Sequence, residues 1–396
     1  MNYIESINII ITLLSFLAFF CFGYLFNSHP IFKFLIQRKN RLGSIDGLRG
    51  YLALSVFIHH FVLTWYWKNT GEWGRPPEAY FQNLGKFGIA IFFMITGFLF
   101  ISKIISSKKP IDWYLLYQSR VFRIFPLYLF VILLISIIIL FQSRFQINVD
   151  LFTLFKSYFR WFIFHGNVIN DYTETRRIIA GVDWTLKYEW LFYALLPLMA
   201  LTISKGKFVI ILVCLGVLIL FLYPVRVEHF YTLYFILFAI GGVAAALNIE
   251  LKNKAEWTKH YLCSLFTLAA LIAAIFHPST FSSIHIILMT LFFVPIALGN
   301  NLFGLLTATP SIFLGEISYS IYLLHGAVLY ILFSLVNFDI SHLSLTSALL
   351  WLPIIGSIVV FLSTVSYLLV ERPFIQYGKN NNLSHKLKWL TQRNHR

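Results

Sequence analysis

The sequence predicts an all-α, polytopic integral membrane helix bundle with about eleven transmembrane helices. Three observations predict it. Of the 396 residues, 59% are apolar and 12% are charged, against roughly 45–50% and roughly 25% in soluble proteins. The mean hydropathy is +0.76. Apolar runs long enough to cross a bilayer recur along the whole chain, at 7–27, 48–67, 86–106, 124–141, 186–203, 207–224, 229–248, 259–276, 283–299, 311–335 and 345–370. The same composition excludes disorder, collagen, coiled coil and a disulfide scaffold.

The first run is preceded by Met1–Ser6, which holds Glu5 and no Lys or Arg, and it lacks a small-x-small cleavage site. It reads as a retained helix rather than a signal peptide. The second run carries Asp46, Arg49, His59 and His60. Ionisable groups inside a span cost several kcal/mol, roughly, so each is a functional candidate by default. Arg49 and His60 are eleven residues apart, about three helical turns plus 20°, so they share one face about 16 Å apart. Asp46 falls on the same face, and His59 lies about 80° off Arg49 on the other side. In the third run, Gly85, Gly88 and Gly97 suggest close helix packing.

Arg120 and Arg123 stand just before the fourth run, with Pro126 in its first turns. Two readings stand. The pair is topology-setting charge, or two guanidiniums on one face that suit a phosphate or pyrophosphate. A long loop, 142–185, follows. Glu189 opens the fifth run within WTLKYEWLFYALLP, with Phe192 and Tyr193 at i+3 and i+4. It is either a helix-start charge or a carboxylate that orients a histidine or takes a proton. The connections at 203/207 and 224/229 are very short. In GEISYSIYLLHG, Ser318, Tyr322 and His325 form a second polar stripe, for interhelical hydrogen bonding or for holding a substrate.

Cys21, Cys214 and Cys263 lie in apolar runs with no C-x-x-C, and read as packing residues. Lys+Arg number 31 and Asp+Glu 16, a net charge of +15. In a lipid-solvated chain this excess reads as a positive-inside bias rather than nucleic-acid binding. Twenty Lys and Arg belong to the loops after runs 1, 3, 5, 7 and 9 with the tail, and ten to the opposite set. The N-terminus is therefore expected outside and the C-terminus in the cytoplasm, across the inner membrane. No P-loop, dinucleotide fingerprint, H-x-x-x-H or G-x-S-x-G is present, and no metal site is expected. The remaining chemistry is proton transfer and positioning, with a histidine as its main player.

Six segments in order, SIDGLRGYLALSVFIHHF, FGIAIFFMITGFL, RVFRIFPLY, WTLKYEWLFYALLP, GEISYSIYLLH and VERPF, resemble the integral-membrane acyltransferase 3 family, which includes O-antigen and exopolysaccharide O-acetylases. The family's Arg-x(10)-His signature falls on Arg49 and His60, its arginine pair on Arg120 and Arg123, and its Trp-Ser-Leu-x-x-Glu on Trp184, Thr185, Leu186 and Glu189. Ala90 stands where the family often has an acidic residue, and Thr96–Gly97 replaces its Ser-Gly pair.

The resemblance implies three parts: an extra N-terminal helix and cytoplasmic loop over 1–43, an acyltransferase membrane domain over 44–375, and a basic cytoplasmic tail over 376–396. It implies no permanently bound cofactor. Acyl-CoA, acetyl-CoA above all, would be co-substrate, its phosphates held by Arg49, Arg120 and Arg123. His60 would be general base, or carrier of the acyl group, oriented by Glu189 or Asp46. The acceptor would be a carbohydrate, free or lipid-linked, held by Trp184, Tyr193, Tyr322 and His325. Membrane lipids are the other expected partner, and nucleic acid is not one. Trp65, Trp67 and Trp73 suit sugar stacking or an interfacial belt. The competing reading is a proton-coupled transporter or flippase of a lipid-linked sugar, which also uses intramembrane His and carboxylates but usually shows internal repeats, absent here.

Overall fold

A computed structural model of the chain describes residues 3–27, 43–204, 226–227, 230–251 and 255–380. The predicted run 207–224, residues 28–42 of the first loop and most of the basic tail lie outside the described residues. The architecture is all-helical: α1 (Tyr3–Asn27), α2 (Gly43–Thr70), α3 (Ala79–Ser106), α4 (Trp113–Gln142), α5 (Leu151–Phe162), α6 (Trp184–Ser204), α7 (Leu233–Glu250), α8 (Tyr261–Ile275), α9 (Ser283–Ala297), α10 (Thr309–Glu316), α11 (Ser318–Tyr330), α12 (Leu345–Leu349), α13 (Leu352–Ser366) and α14 (Arg372–Asn380). A two-residue antiparallel ladder pairs Arg226 with Tyr231 and Val227 with Phe230.

Large apolar side chains such as Leu13, Leu17, Leu133 and Ile137 are exposed around the bundle, as lipid solvation requires. Among the described residues, seven helices are both long and apolar enough to span a membrane; of the eleven expected runs, 207–224 lies outside the described residues and three others fall short. The reasons are local. α2 has 28 residues, ample length, but Asp46, Arg49, His59 and His60 dilute its apolar character. α8 and α9 have 15 residues each.

Three further boundaries depart from expectation. α4 starts eleven residues before the predicted run, because the Asp112 carboxylate accepts the Leu115 N–H at 3.0 Å and caps the helix at Trp113. Arg120 and Arg123 therefore sit inside a helix, not ahead of one. The run 311–335 breaks at Ile317 into α10 and α11. Gly315 there touches α2 so closely that a Cβ would lie 1.7 Å from the Asp46 carbonyl oxygen. The long loop 142–185 contains α5, whose Leu151, Phe152, Phe155, Phe159 and Phe162 form one exposed apolar stripe.

Small residues set the spacing of the core, as in other membrane bundles. A Cβ on Gly97 would lie 2.0 Å from the Phe238 carbonyl oxygen, and one on Gly241 2.0 Å from that of Met94, so α3 and α7 touch backbone to backbone. Gly85 and Gly88 similarly pack on α2, against His59 and Val56. From α1, the buried Phe19 reaches Phe57 of α2 at a ring separation of 6.2 Å.

The segment between α5 and α6 descends into the bundle. Ile178 and Ile179 are fully buried, and Ala180 and Gly181 take positive φ of 52° and 66° to turn the chain. Gly326 of α11 admits this turn, since a Cβ there would lie 2.3 Å from the Ile179 carbonyl carbon. Non-helical backbone at such depth is stable where protein surrounds it. The first turn of α6 consequently lies beneath this roof, with Thr185 and Leu186 buried, and Glu189 falls in the second turn.

Candidate active site

α2 runs unbroken from Asp46 through His60, so the regular rise keeps Arg49 and His60 on one face about 16 Å apart. His59 points elsewhere: its Nδ1 meets the Phe81 carbonyl at 2.9 Å, and its ring lies on Gly85. The buried His60 faces α11. There His325 Nε2 lies 2.9 Å from His60 Nδ1, with ring centroids 5.0 Å apart.

The hydrogen-bond partners dictate the tautomers. His325 Nδ1 lies 2.9 Å from the Ile321 carbonyl oxygen. A carbonyl only accepts, so His325 Nδ1 carries the proton, and the Nε2 of the neutral ring must accept. His60 Nδ1 therefore donates to it. The Nε2 of His60 is left as the lone-pair nitrogen, the form a general base needs. His325 is thus the group in hydrogen-bond contact with His60, where the sequence had offered Glu189 or Asp46 as the orienting partner and His325 as a contact to the acceptor.

Seven of the ten expected site residues line one cavity of about 250 Å³: Asp46, Arg49, Arg120, Arg123, Glu189, Tyr193 and Tyr322. Arg49 is in electrostatic reach of Asp46, Glu316 and Glu189. Arg123 is in reach of Glu316 and Glu371. The Arg120 guanidinium stacks 5.3 Å above the Phe100 ring. The Tyr193 hydroxyl donates to Glu189 and also interacts with Arg120. Tyr322, on the cavity wall, shares a 2.9 Å hydrogen bond with Thr185, and its ring centroid is 6.3 Å from that of His325.

The eighth, Trp184, borders a different cavity, of about 900 Å³, at the end formed by the loops 71–78, 163–183 and 276–282, and the remaining two, His60 and His325, stand on neither cavity's wall. α6 separates the two. Thr185, Leu186, Glu189 and Tyr193 face the smaller cavity, while Trp184, Lys187 and Tyr188 face the larger. Phe93 completes the partition, its ring 6.4 Å from Trp184 and 5.6 Å from Tyr234. In the roof, Asp183 accepts the Gly166 N–H at 3.0 Å and lies 3.5 Å from Arg176. Burial pushes its carboxyl above the ordinary aspartate value, opposed by Arg176 and the Gly166 N–H. Trp65 is tied by its Nε1, which donates to the Leu343 carbonyl at 3.2 Å. Trp67 packs on Trp73 at 5.5 Å.

Two further residues, both within motifs that the sequence singles out, support the site without having been assigned a role in it. Glu371 of VERPF is buried, accepts from Ser320 and balances Arg123. Thr185 fixes Tyr322. Among the described residues, no group of three or more His, Cys, Asp or Glu could hold a metal ion.

A family profile described as "Acyltransferase domain" matches residues 42–368. The chain is similar to "Putative acetyltransferase ORF330" of Acidianus two-tailed virus, 25% identical over 323 residues, which cover 76% of this chain and 88% of that protein. No solved structure matches the chain.

Proposed function

Because this chain belongs to the acyltransferase 3 family and is an acyltransferase, we propose that it moves an acyl group, acetyl in the simplest case, from cytoplasmic acyl-CoA to a hydroxyl of a cell-surface carbohydrate or glycolipid. The observation that carries this reading is the tautomer chain from the Ile321 carbonyl through His325, which leaves His60 Nε2 as a base. The base takes the acceptor hydroxyl proton as that oxygen attacks the thioester carbon. The carbon–sulfur bond breaks, and the imidazolium returns its proton to the departing CoA thiolate. His325 holds the imidazole's orientation throughout and favours the imidazolium by accepting from Nδ1.

The cavity lined by Arg49, Arg120 and Arg123 is the donor site in this reading. Its guanidiniums suit the pyrophosphate and ribose phosphate of CoA. The rise of about 16 Å from Arg49 to His60 suits an extended pantetheine arm. Purified protein in lipid, given acetyl-CoA and a panel of glycans, is expected to release free CoA thiol only when an acceptor is present. Absence of release with every glycan, while CoA binds, would overturn the reading.

The donor site makes a sharper prediction. Arg120→Lys keeps the charge but loses the planar fork and its stacking on Phe100. CoA affinity by calorimetry is expected to fall by about 1–3 kcal/mol, the scale of a charge-assisted hydrogen bond. Unchanged affinity would reduce this arginine to a topological charge.

The excess of Lys and Arg on alternate loops supports an inner-membrane orientation with the N-terminus outside and the tail in the cytoplasm. A membrane-impermeant thiol reagent on intact cells should label a Cys introduced at Tyr3 and not one introduced in the tail. The reverse pattern would put CoA entry at the wrong face.

A further inference from the structure

The connection between α4 and α6 runs back along α4 instead of out into water. The Tyr158 hydroxyl donates to Ser136 Oγ at 2.8 Å, and the Tyr128 hydroxyl donates to the Trp161 carbonyl at 2.7 Å. The rings of Phe125 and Phe162 lie 5.4 Å apart. The partners on α4 thus step backward from 136 to 125 as α5 advances from 158 to 162. Tyr128 stands well before the end of α4 at Gln142, about 21 Å along the helix. Lipid reaches that end, because Leu133, Ile137, Leu140 and Phe141 are exposed. The end of α5 is therefore at acyl-chain depth in a hydrocarbon core of about 30 Å.

From Phe164 the chain returns. Asn170 donates through Nδ2 to the Gln146 carbonyl at 2.8 Å and accepts the Asn148 N–H at 2.7 Å, beside the turn that ends α4. The hairpin 150–170 has one helical and one irregular limb. On the helical limb three faces diverge. Ser157 and Trp161 are buried against the bundle, Leu151, Phe155, Phe159 and Phe162 are exposed, and Thr153 and Lys156 lie on a third, polar side. The irregular limb, Phe164 to Val168, lines the larger cavity.

That division suits a bilayer. Non-helical backbone at membrane depth is tolerated where it lines a cavity, and a helix that ends there must satisfy its last carbonyls internally. The Phe159, Arg160 and Trp161 carbonyls accept from the Ile163, His165 and Phe164 N–H groups at 3.2, 2.8 and 2.9 Å. In water the exposed stripe would instead be a patch prone to aggregation.

We propose that residues 150–170 form a re-entrant hairpin, with the stripe of α5 held by acyl chains of the leaflet at the Gln142 end. Lipid is the occupant because the stripe continues the lipid-facing surface of α4 through Phe125 and Phe162. Lys156 agrees with this depth. It stands at the stripe's edge about 9 Å along α5 from Asp150, within reach of headgroup phosphates for a long cationic side chain. The larger cavity is then sunk within the bilayer, with α5 along its lipid side.

The test uses full-length protein in liposomes, with Cys21, Cys214 and Cys263 changed to Ser and one nitroxide-labelled cysteine introduced at a time. The positions are Leu151→Cys, Phe155→Cys, Phe159→Cys and Thr153→Cys. Collision with oxygen, which concentrates among acyl chains, is compared with collision with a water-soluble nickel chelate. The oxygen-to-nickel ratio is expected to rise severalfold from 151 through 155 to 159, and to stay low at 153. High nickel collision throughout would make the segment a loop in water. Equal ratios along the stripe would lay α5 flat on the membrane surface. Low collision with both reagents would put protein over the stripe, a second copy of this chain first of all. Each of these results would overturn the proposal. A second measurement needs no substitution. Unmodified protein in liposomes with a photoactivatable acyl-chain lipid should cross-link within 151–162, read by peptide mass spectrometry. Cross-links on α4 with none on α5 would overturn it equally.

Discussion

His60→Ala is expected to lower acyl transfer by about 10²–10⁴, the usual contribution of a positioned general base, with expression and folding near normal. His60 Nε2 is the nitrogen left without a proton by the His325 contact, and alanine offers no replacement. His59→Ala should stay within a few-fold of the parent, because that ring is committed to the Phe81 carbonyl on another face. His325 acts through His60, so its variants should be graded. His325→Leu removes the acceptor for His60 Nδ1. His325→Gln supplies an amide oxygen that can take the same hydrogen bond, and should recover part of the loss. Initial rates at matched protein levels, with each variant's pH profile, are the measurement. A dead His59→Ala beside an active His60→Ala would reverse the assignment of faces. Equal rates for His325→Leu and His325→Gln would remove the positioning role.

Gly326→Ala is the second large effect. Its new Cβ would fall 2.3 Å from the Ile179 carbonyl carbon and 2.5 Å from the Ala180 nitrogen, both backbone. No side chain can swing aside, so the roof segment must lift or α11 must shift. Overpacking of this kind costs about 1–3 kcal/mol. Because Gly326 follows His325 directly, the displacement should also slow acyl transfer. Thermal unfolding in detergent should show a lower midpoint, and limited proteolysis should show new cleavage within 163–183. A variant with unchanged midpoint and protection would mean that the roof is not held against α11.

The Arg49–His60 pair was legible because both residues ride one helix, and a single rotation per residue fixes their relation. The His60–His325 contact was not, because 265 residues separate the partners and only tertiary packing brings α2 and α11 together. Hydropathy misjudged α4 for a related reason. A cap at Asp112 starts that helix, and the polar residues of its first turns face a cavity and carboxylates rather than lipid. The break at Ile317 follows from contact of α10 with α2, which no local pattern in GEISYS announces. α5 did carry a readable signal, Leu151, Phe155, Phe159 and Phe162 at helical spacing, but twelve residues is too short for the spanning runs that dominated the reading.

The thin partition around α6 has an electrical consequence. Recesses on the two sides of α6, once filled with water, would carry each bulk phase's potential inward. The membrane voltage would then drop across the protein between them instead of a hydrocarbon core of about 30 Å. Carrying one elementary charge through the whole drop is worth about 2.3 kcal/mol per 100 mV. An acyl group is neutral and does no electrical work in crossing. A proton taken from a hydroxyl on one side and delivered to a thiolate on the other does cross the field. In a reaction that draws its two substrates from the two recesses, the turnover rate would therefore depend on the voltage across the membrane, even though nothing is pumped.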